Sequence, residues 1–189
     1  MARRPRSHVS GGLFHVTSRG NRGEKIFTAG EDAERFLSLL AKVVEKREWR
    51  CHAYCLMPNH YHLMVDMPEP TLSTGMHELN WRYAYWFNLR HGFTGHLFQE
   101  RFGSRAIVDE PHALESSRYI PLNPVRAGLC ARPEMWPWSS YRATLRGPAP
   151  ALLDREWLLS RFSPNKARAR ELYERFVLDG LASDATLSW

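Results

Sequence analysis

Two apolar runs of eight residues, separated by only two residues, constrain the fold of this chain more than any other feature. Arg50–Met57 (RCHAYCLM) and His60–Met67 (HYHLMVDM) have the length and apolar content of strands. Pro58-Asn59, between them, is typical of a turn. The sequence therefore predicts an antiparallel hairpin over residues 50–67.

The elements predicted around this hairpin alternate between strand and helix. In chain order they are a strand over 12–18, a helix over about 28–44, the hairpin, a helix over 71–90, a strand over 104–108 and a helix from Asp109 towards Tyr119. Thr28 and Glu31 have capping-box spacing at the start of the first helix. This β-α-β-β-α-β-α order predicts an α+β fold, with a ferredoxin-like antiparallel sheet and the helices on one face.

The composition excludes several classes of protein. The 189 residues include 26 Lys and Arg against 20 Asp and Glu, a formal charge of +6, which favours an acidic partner such as nucleic acid. No run reaches the roughly 18 apolar residues that a membrane helix needs, so no membrane partner is expected. Cys51, Cys55 and Cys130 are too few for a disulfide scaffold, which favours a reducing cytoplasm.

The tripeptide His60-Tyr61-His62 is the first candidate site. On a strand, His60 and His62 project from one face, with Cα atoms roughly 6.5 Å apart, and Tyr61 projects from the other. Two imidazoles at that separation can converge on one metal ion. The alternative is a pair of surface histidines on a half-exposed strand, and the tripeptide alone favours that alternative because the pattern is short.

Tyr119 and Asn123 form the second candidate site. They are four residues apart and share a face if they lie on a helix, where a hydroxyl beside an amide oxygen suits metal-dependent phosphoryl transfer. Pro121 lies between them and removes a helical hydrogen bond, so a break in the helix is expected there. The alternative is a core tyrosine near a helix end, which the spacing alone favours.

Four motifs in order resemble the REP-associated tyrosine transposases, a branch of the single-tyrosine HUH nucleases. The motifs are residues 57–63 (MPNHYHL), 95–102 (GHLFQERF), 119–128 (YIPLNPVRAG) and 136–141 (WPWSSY). Residues 15–27 (HVTSRGNRGEKIF) also resemble the family, and the resemblance covers about residues 11–141. Four motifs in the right order are far more specific than any one alone.

The resemblance implies a ferredoxin-like catalytic domain. The segment 146–150 (RGPAP) predicts a boundary, which gives a catalytic domain over residues 1–145, with a basic arm at 1–10, and a helical tail at 146–189. The resemblance also implies that His60 and His62 hold Mg²⁺ or Mn²⁺, that Asn123 completes the metal site and that Tyr119 is the nucleophile, forming a 5′-phosphotyrosine intermediate. The implied partner is a single-stranded DNA hairpin from a palindromic repeat, with unpaired bases at its foot. A monomer is favoured, with a dimer as the alternative.

Eight basic residues are predicted to contact DNA. They are Arg3, Arg4, Arg6, Arg19, Arg22, Lys25, Arg101 and Arg105. Contacts of such residues with phosphates supply affinity that depends on salt. A disordered, solubilising arm is the alternative for the first three of them.

Aromatic residues are abundant between residues 81 and 102. Phe93, Phe98 and Phe102 suit the stacking of unpaired bases, and they suit the core equally well. Trp81 and Tyr85 are near helical spacing and are expected in the core.

Two functions from other classes compete with a DNA nuclease. A non-catalytic nucleic-acid-binding module is possible because ferredoxin-like sheets also bind RNA through surface aromatics. Such a module would carry aromatics at the outward positions of the central strands, where this chain has His60 and His62. A zinc hydrolase of small molecules lacks a clear third strong ligand and a carboxylate base near these histidines.

Overall fold

Four strands form an antiparallel sheet in the computed structural model, which describes residues 11–182. The strands are β1 (Gly12–Arg19), β2 (Arg50–Met57), β3 (His60–Met67) and β4 (Gly103–Ala106). They lie in the order β2-β3-β1-β4, and every neighbouring pair is antiparallel. The predicted hairpin and the α+β, ferredoxin-like sheet are therefore confirmed.

Six α-helices surround this sheet within residues 11–182. They are α1 (Gly30–Lys46), α2 (Leu72–His91), α3 (Glu110–Arg126), α4 (Tyr141–Leu145), α5 (Arg155–Leu159) and α6 (Lys166–Ala182). Short 3-10 turns occur at Asn21–Gly23 and Pro133–Met135. None of the helices in this part of the chain combines the length and the apolar character that crossing a membrane requires.

The start of α1 differs by one residue from the predicted capping box. The carboxylate that closes the helix is Asp32, which is fully buried. It accepts hydrogen bonds from the backbone N of Thr28 at 2.7 Å and of Ala29 at 2.9 Å. Glu31, predicted to fill this role, is exposed and pairs with Arg90 instead. The predicted capping residue is wrong by one position because the N-cap of α1 is Ala29, not Thr28. The third residue of the helix is then Asp32.

The two faces of the sheet are covered by different helices. Seven consecutive residues of β2 are buried, which requires cover on both faces. On one face Tyr54 and Leu56 share a core with α1 and α2. On the other, Cys55 and Met57 pack with Ile120 of α3. The prediction that the helices lie on one face is therefore wrong for α3.

Helix α3 continues past Pro121 to Arg126, so the break predicted at the proline is wrong. Pro121 has no N–H to donate to the carbonyl oxygen of Ser117, four residues earlier. The hydroxyl of Tyr173, on α6, donates to that oxygen instead, at 2.9 Å. A residue 56 positions away thus supplies the hydrogen bond that the proline removes.

The predicted C-terminal tail contacts both α3 and β2. Helix α6 packs on α3 in a cluster that includes Leu122, Tyr141 and Tyr173. The backbone N of Asp154, before α5, donates to the carbonyl oxygen of Cys51 at 2.8 Å. The division of the chain between residues 145 and 146 stays a prediction.

Helix α2 exposes aromatic residues that the sequence assigns to the core. The side of α2 that packs on the sheet carries Met76, Leu79, Tyr83 and Phe87. Trp81 and Tyr85 lie on another side and are 62% and 66% exposed, so their predicted burial is wrong. Trp81 and Tyr85 are four residues apart, which is a helical spacing, but they lie on a different side of α2 from the residues that pack on the sheet. Phe102, by contrast, belongs to the core.

Candidate active site

The two histidines of the HYH tripeptide lie on the sheet face that α3 covers. His60 is half-buried and His62 is 5% exposed. Their ring centroids are 4.9 Å apart and their planes are nearly perpendicular. Tyr61 lies on the opposite face, where its hydroxyl donates to Asn80 Oδ1 at 2.6 Å. The alternation expected for a strand is therefore present at this tripeptide.

One nitrogen of each ring has a fixed partner. His60 Nδ1 lies 2.7 Å from Asn59 Oδ1, an acceptor, so Nδ1 carries the proton and His60 Nε2 keeps the lone pair. His62 Nδ1 lies 2.9 Å from His15 Nε2. When His62 Nδ1 donates, the lone pair stands on His62 Nε2. This Nε2 is buried and has no hydrogen-bond partner in residues 11–182.

Burial keeps the three histidines neutral. Loss of hydration is the largest cause that lowers the pKa of His15 to about 4, followed by the electrostatic effects of His112 and Arg105. Burial and then Arg19 lower the pKa of His60 to about 4. Burial is also the largest cause that holds the pKa of His62 well below its usual value. Neutral imidazole is the form that binds metal ions.

Helix α3 brings Tyr119 to these rings. The centroid of the Tyr119 ring is 5.5 Å from that of His62 and 5.9 Å from that of His15, edge-on in both cases. Burial raises the pKa of Tyr119, whereas the charge of Arg126 and a hydrogen bond with Asn123 lower it. The Arg126 guanidinium lies 5.7 Å from the centroid of the Tyr119 ring. Cationic charge near the phenol favours the phenolate form.

Asn123 lies one turn after Tyr119 and is half-buried. Its Nδ2 donates to the carbonyl oxygen of Tyr119 at 2.8 Å, so the amide oxygen is the atom that would meet an ion. Because α3 is unbroken, the two residues share a face as the spacing predicts. The role of Asn123 as a ligand stays a prediction.

The donor set fits a divalent ion only in part. No group of three or more His, Cys, Asp or Glu in residues 11–182 is arranged to hold a metal ion. Two neutral imidazoles and one amide oxygen remain, with the buried Nε2 of His62 unpaired. Imidazole suits Mn²⁺ better than Mg²⁺, which prefers oxygen ligands.

Two of the predicted DNA-binding arginines border the histidines. Arg19 pairs with His60 across β1 and β3, and Arg105 pairs with His15 across β1 and β4. Residues that pair directly across strands project from the same face, so both arginines lie on the face that carries the site. Both are exposed. Arg3, Arg4 and Arg6 lie outside the described residues.

The other predicted DNA-binding residues are not brought to the histidines. Arg22 and Lys25 are exposed and line a hollow between the Asn21–Gly23 turn and the end of α2. Arg101 is exposed and lines a groove along α2. The predicted DNA-binding residues thus form two groups. Arg19 and Arg105 lie beside the histidines, and Arg22, Lys25 and Arg101 lie near α2.

Comparison with protein families identifies the family of the chain. Residues 8–122 match the family described as "Transposase IS200 like". The chain belongs to this family. The match contains His60, His62 and Tyr119 and ends one residue before Asn123. The resemblance inferred from the four motifs is confirmed.

Curated relatives of this IS200-like transposase match along most of their length. A REP-associated tyrosine transposase of Escherichia coli (strain K12) is 25% identical over 150 residues, which cover 77% of this chain and 86% of the relative. A relative from Haemophilus influenzae is 24% identical over 160 residues, covering 75% of this chain and 86% of its own length.

A solved structure shares the fold of this transposase. It is described as a REP-associated tyrosine transposase bound to a REP hairpin. The TM-score is 0.66 at 24% identity, and the match covers 83% of this chain and 91% of that chain. At this identity the likeness concerns the fold, and it agrees with the α+β architecture described above.

Two residues that the structure places at the site of this transposase, His15 and Arg126, are not among those predicted from the sequence. His15 shares strand parity with Arg19, but only the pairing of β1 with β3 brings it to His62. Arg126 is seven residues after Tyr119, which is two helical turns, so the unbroken helix places both on one side. The helical spacing is a usable signal for Arg126, whereas the sequence carries no local signal for His15.

Proposed function

We propose that this transposase is a metal-dependent endonuclease and strand transferase for single-stranded DNA that acts on hairpins of palindromic repeats. The observation that carries the proposal is the contact of Tyr119 with His62 and His15, at ring distances of 5.5 and 5.9 Å. A phenol held edge-on to two neutral imidazoles, in a family of transposases, suits a nucleophile beside an ion site.

Tyr119 is the proposed nucleophile. Its phenolic oxygen attacks a DNA phosphorus, the bond from phosphorus to the 3′ oxygen breaks, and that 3′ oxygen takes up a proton. The products are a 5′-phosphotyrosine and a free 3′-hydroxyl. The new linkage conserves the phosphodiester bond energy, so another 3′-hydroxyl can displace Tyr119 without ATP. Burial raises the pKa of Tyr119, so nearby positive charge, part of it from Arg126, is needed to favour the phenolate.

His60 and His62, with the amide oxygen of Asn123, would hold the divalent ion. When bound, the ion supplies polarisation of the scissile phosphate and neutralises developing charge. The lowered pKa values of His60 and His62 keep both rings in the ligand form at neutral pH. His15 orients His62 through the hydrogen bond between their rings.

DNA hairpins are the proposed substrate. The formal charge of +6 and the exposed Arg19 and Arg105 beside the histidines favour a polyanion. A related protein of this fold is bound to a REP hairpin. The scissile phosphate has to reach Tyr119 between the sheet and α3, which favours an unpaired strand at the cut. Acting on chromosomal repeats, the protein would work in the cytoplasm at the nucleoid, as a monomer.

A covalent-capture assay tests the proposal. Hairpin oligonucleotides from repeats that flank the gene carry a 3′ label and are incubated with protein and Mn²⁺. A labelled band at the mass of protein plus DNA is expected on a denaturing gel. EDTA should abolish it, and so should Tyr119→Phe.

Combined substitution of His60→Ala and His62→Ala separates the ion site from DNA binding. This variant should form no covalent band with Mn²⁺, yet should retard the hairpin on a native gel as wild type does. A covalent band from Tyr119→Phe would exclude Tyr119 as the nucleophile. Retardation by wild type, with no covalent product from any flanking repeat, would favour the non-catalytic binding module.

A further inference from the structure

One side of α2 presents aromatic rings to solvent. Trp81 and Tyr85, one turn apart, are 62% and 66% exposed. Their rings are stacked, with centroids 6.2 Å apart and planes inclined by 20°. Two large, nearly parallel rings left in water are costly unless something covers them. We call these two rings the platform; they belong to none of the hydrophobic clusters formed by residues 11–182.

The platform forms one wall of an open groove of about 990 Å³. The opposite wall is the segment 95–102, which connects α2 to β4. Two contacts fix this segment: Asn88 Nδ2 donates to the carbonyl oxygen of Gly95 at 2.9 Å, and Gln99 N donates to the carbonyl oxygen of Arg19 at 2.9 Å. Phe102 anchors its end in the core. The groove is therefore a formed feature of the fold.

The chemistry of the groove combines apolar walls with hydrogen-bonding groups. Its polar lining includes His77, Asn80, His96, Gln99 and Arg101. Amide and imidazole groups can donate to and accept from the edges of bases. Aromatic faces stack on any base because every base has a π face.

Charge around the groove favours a polyanion. Arg101 lines the groove, and Arg22 and Lys25 line the adjoining hollow, which shares residues of the 95–97 segment with the groove. None of these three cations forms an ion pair with another residue in the described part of the chain, 11–182. Glu24 and Glu100 are the acids that line the two spaces, so cations predominate.

We propose that the groove between α2 and residues 95–102 binds unpaired nucleotides of single-stranded DNA. Bases stack on Trp81 and Tyr85, and Arg101 contacts the phosphates. The proposal rests on the proposed function for its choice of DNA over other polyanions. Arg19 links this groove to the active site, because its carbonyl accepts from Gln99 while it pairs with His60 across the strands. A single DNA strand that runs from Tyr119 around the end of β1 would thus reach the groove.

Binding measurements that need no cleavage test the groove. Fluorescence anisotropy follows three labelled ligands: an oligothymidylate of about eight nucleotides, a blunt hairpin, and that hairpin with a single-stranded extension. The variants are the double substitution Trp81→Ala and Tyr85→Ala, and Leu89→Ala as the matched control. Leu89 is 73% exposed on the same helix, one turn beyond Tyr85, and does not line the groove.

The double variant should bind the oligothymidylate and the extended hairpin about ten-fold or more weakly than wild type, with its affinity for the blunt hairpin unchanged. Leu89→Ala should match wild type for all three ligands. Arg101→Ala should weaken binding of the oligothymidylate and reduce the salt slope by about one. Circular dichroism confirms the fold of each variant.

Equal affinity of the double variant and wild type for the oligothymidylate would overturn the proposal. So would a change in sedimentation of the double variant without a change in DNA affinity, which would make the platform a contact between protein chains. The two proposals can fail separately. If no hairpin forms the Tyr119 adduct, the proposed chemistry fails. The groove assignment still stands if wild type binds the extended hairpin more tightly than the blunt one and the double variant does not.

Discussion

His15 Nε2 lies 2.9 Å from His62 Nδ1, and this bond links β1 to β3 within the site. The two rings are also stacked, with centroids 5.1 Å apart. His62 is thereby held in one orientation with Nε2 directed away from His15. Residues that orient a metal ligand in this way set its tautomer and its basicity. Under the proposed function, His15 is therefore a positioning residue for His62.

Substitution of His15 should raise the Mn²⁺ requirement of cleavage. We expect His15→Ala to lose roughly 10–100-fold in apparent Mn²⁺ affinity, because His62 would no longer be held by a partner. Titration of Mn²⁺ in the cleavage assay measures this. His15→Gln, which keeps a hydrogen-bonding group, should recover part of the loss, while hairpin binding stays unchanged in both. An unaltered Mn²⁺ requirement in His15→Ala would show that His62 needs no support from His15.

Substitution of Asn123 by a carboxylate tests its role as a ligand. A carboxylate binds divalent ions more strongly than an amide does, so Asn123→Asp should reach half-maximal cleavage at a lower Mn²⁺ concentration. The variant loses the hydrogen bond from Nδ2 to the carbonyl oxygen of Tyr119, so thermal unfolding is followed in parallel. A higher Mn²⁺ requirement with unchanged stability would argue against Asn123 as a ligand.

The hydroxyl of Tyr173 should stabilise α3 measurably. Tyr173→Phe leaves the carbonyl oxygen of Ser117 without its donor, and a buried polar group left unpaired costs about 1–3 kcal/mol. Urea denaturation measures the loss. Tyr141→Phe is the matched control, since the Tyr141 hydroxyl lies in the same cluster and has no hydrogen-bond partner in residues 11–182. Equal effects of the two substitutions would contradict this role.

Acidification should destabilise the fold before carboxylates titrate. The pKa of His15 and of His60 is about 4 in the folded chain, against the usual 6.5. Between these values the unfolded chain binds more protons, so the free energy of unfolding is highest above pH 6.5 and falls as the pH falls towards 4. The Tm should therefore be lower at about pH 5 than at about pH 7, and less so in His15→Gln. An equal Tm at the two pH values would contradict the buried, neutral state of these rings.

Sequence alone predicts the local elements of this protein well. The ends of β2 and β3 match the predicted runs because the apolar residues and the turn at Pro58-Asn59 are adjacent in sequence. The HYH alternation follows from the same local geometry. The association of Tyr119 with the histidines is predicted by the family motifs and not by residue spacing.

Long-range contacts explain what the sequence does not predict. The helix through Pro121 persists because Tyr173 supplies a donor from α6. His15 reaches His62 only through the order of strands in the sheet. Trp81 is exposed because another side of α2 packs on the sheet. Helical spacing alone does not predict which side of an aromatic-rich helix is buried.

Peptide mapping of the protein–DNA adduct tests the role of Tyr119 most directly. After reaction with a hairpin and Mn²⁺, digestion with nuclease and then trypsin should give the peptide of residues 119–126 (YIPLNPVR) with one added nucleotide phosphate on its tyrosine. Tandem mass spectrometry should locate the modification at Tyr119 and find none in protein treated with EDTA. An adduct on a different residue, or cleaved hairpin with no modified peptide, would contradict nucleophilic attack by Tyr119.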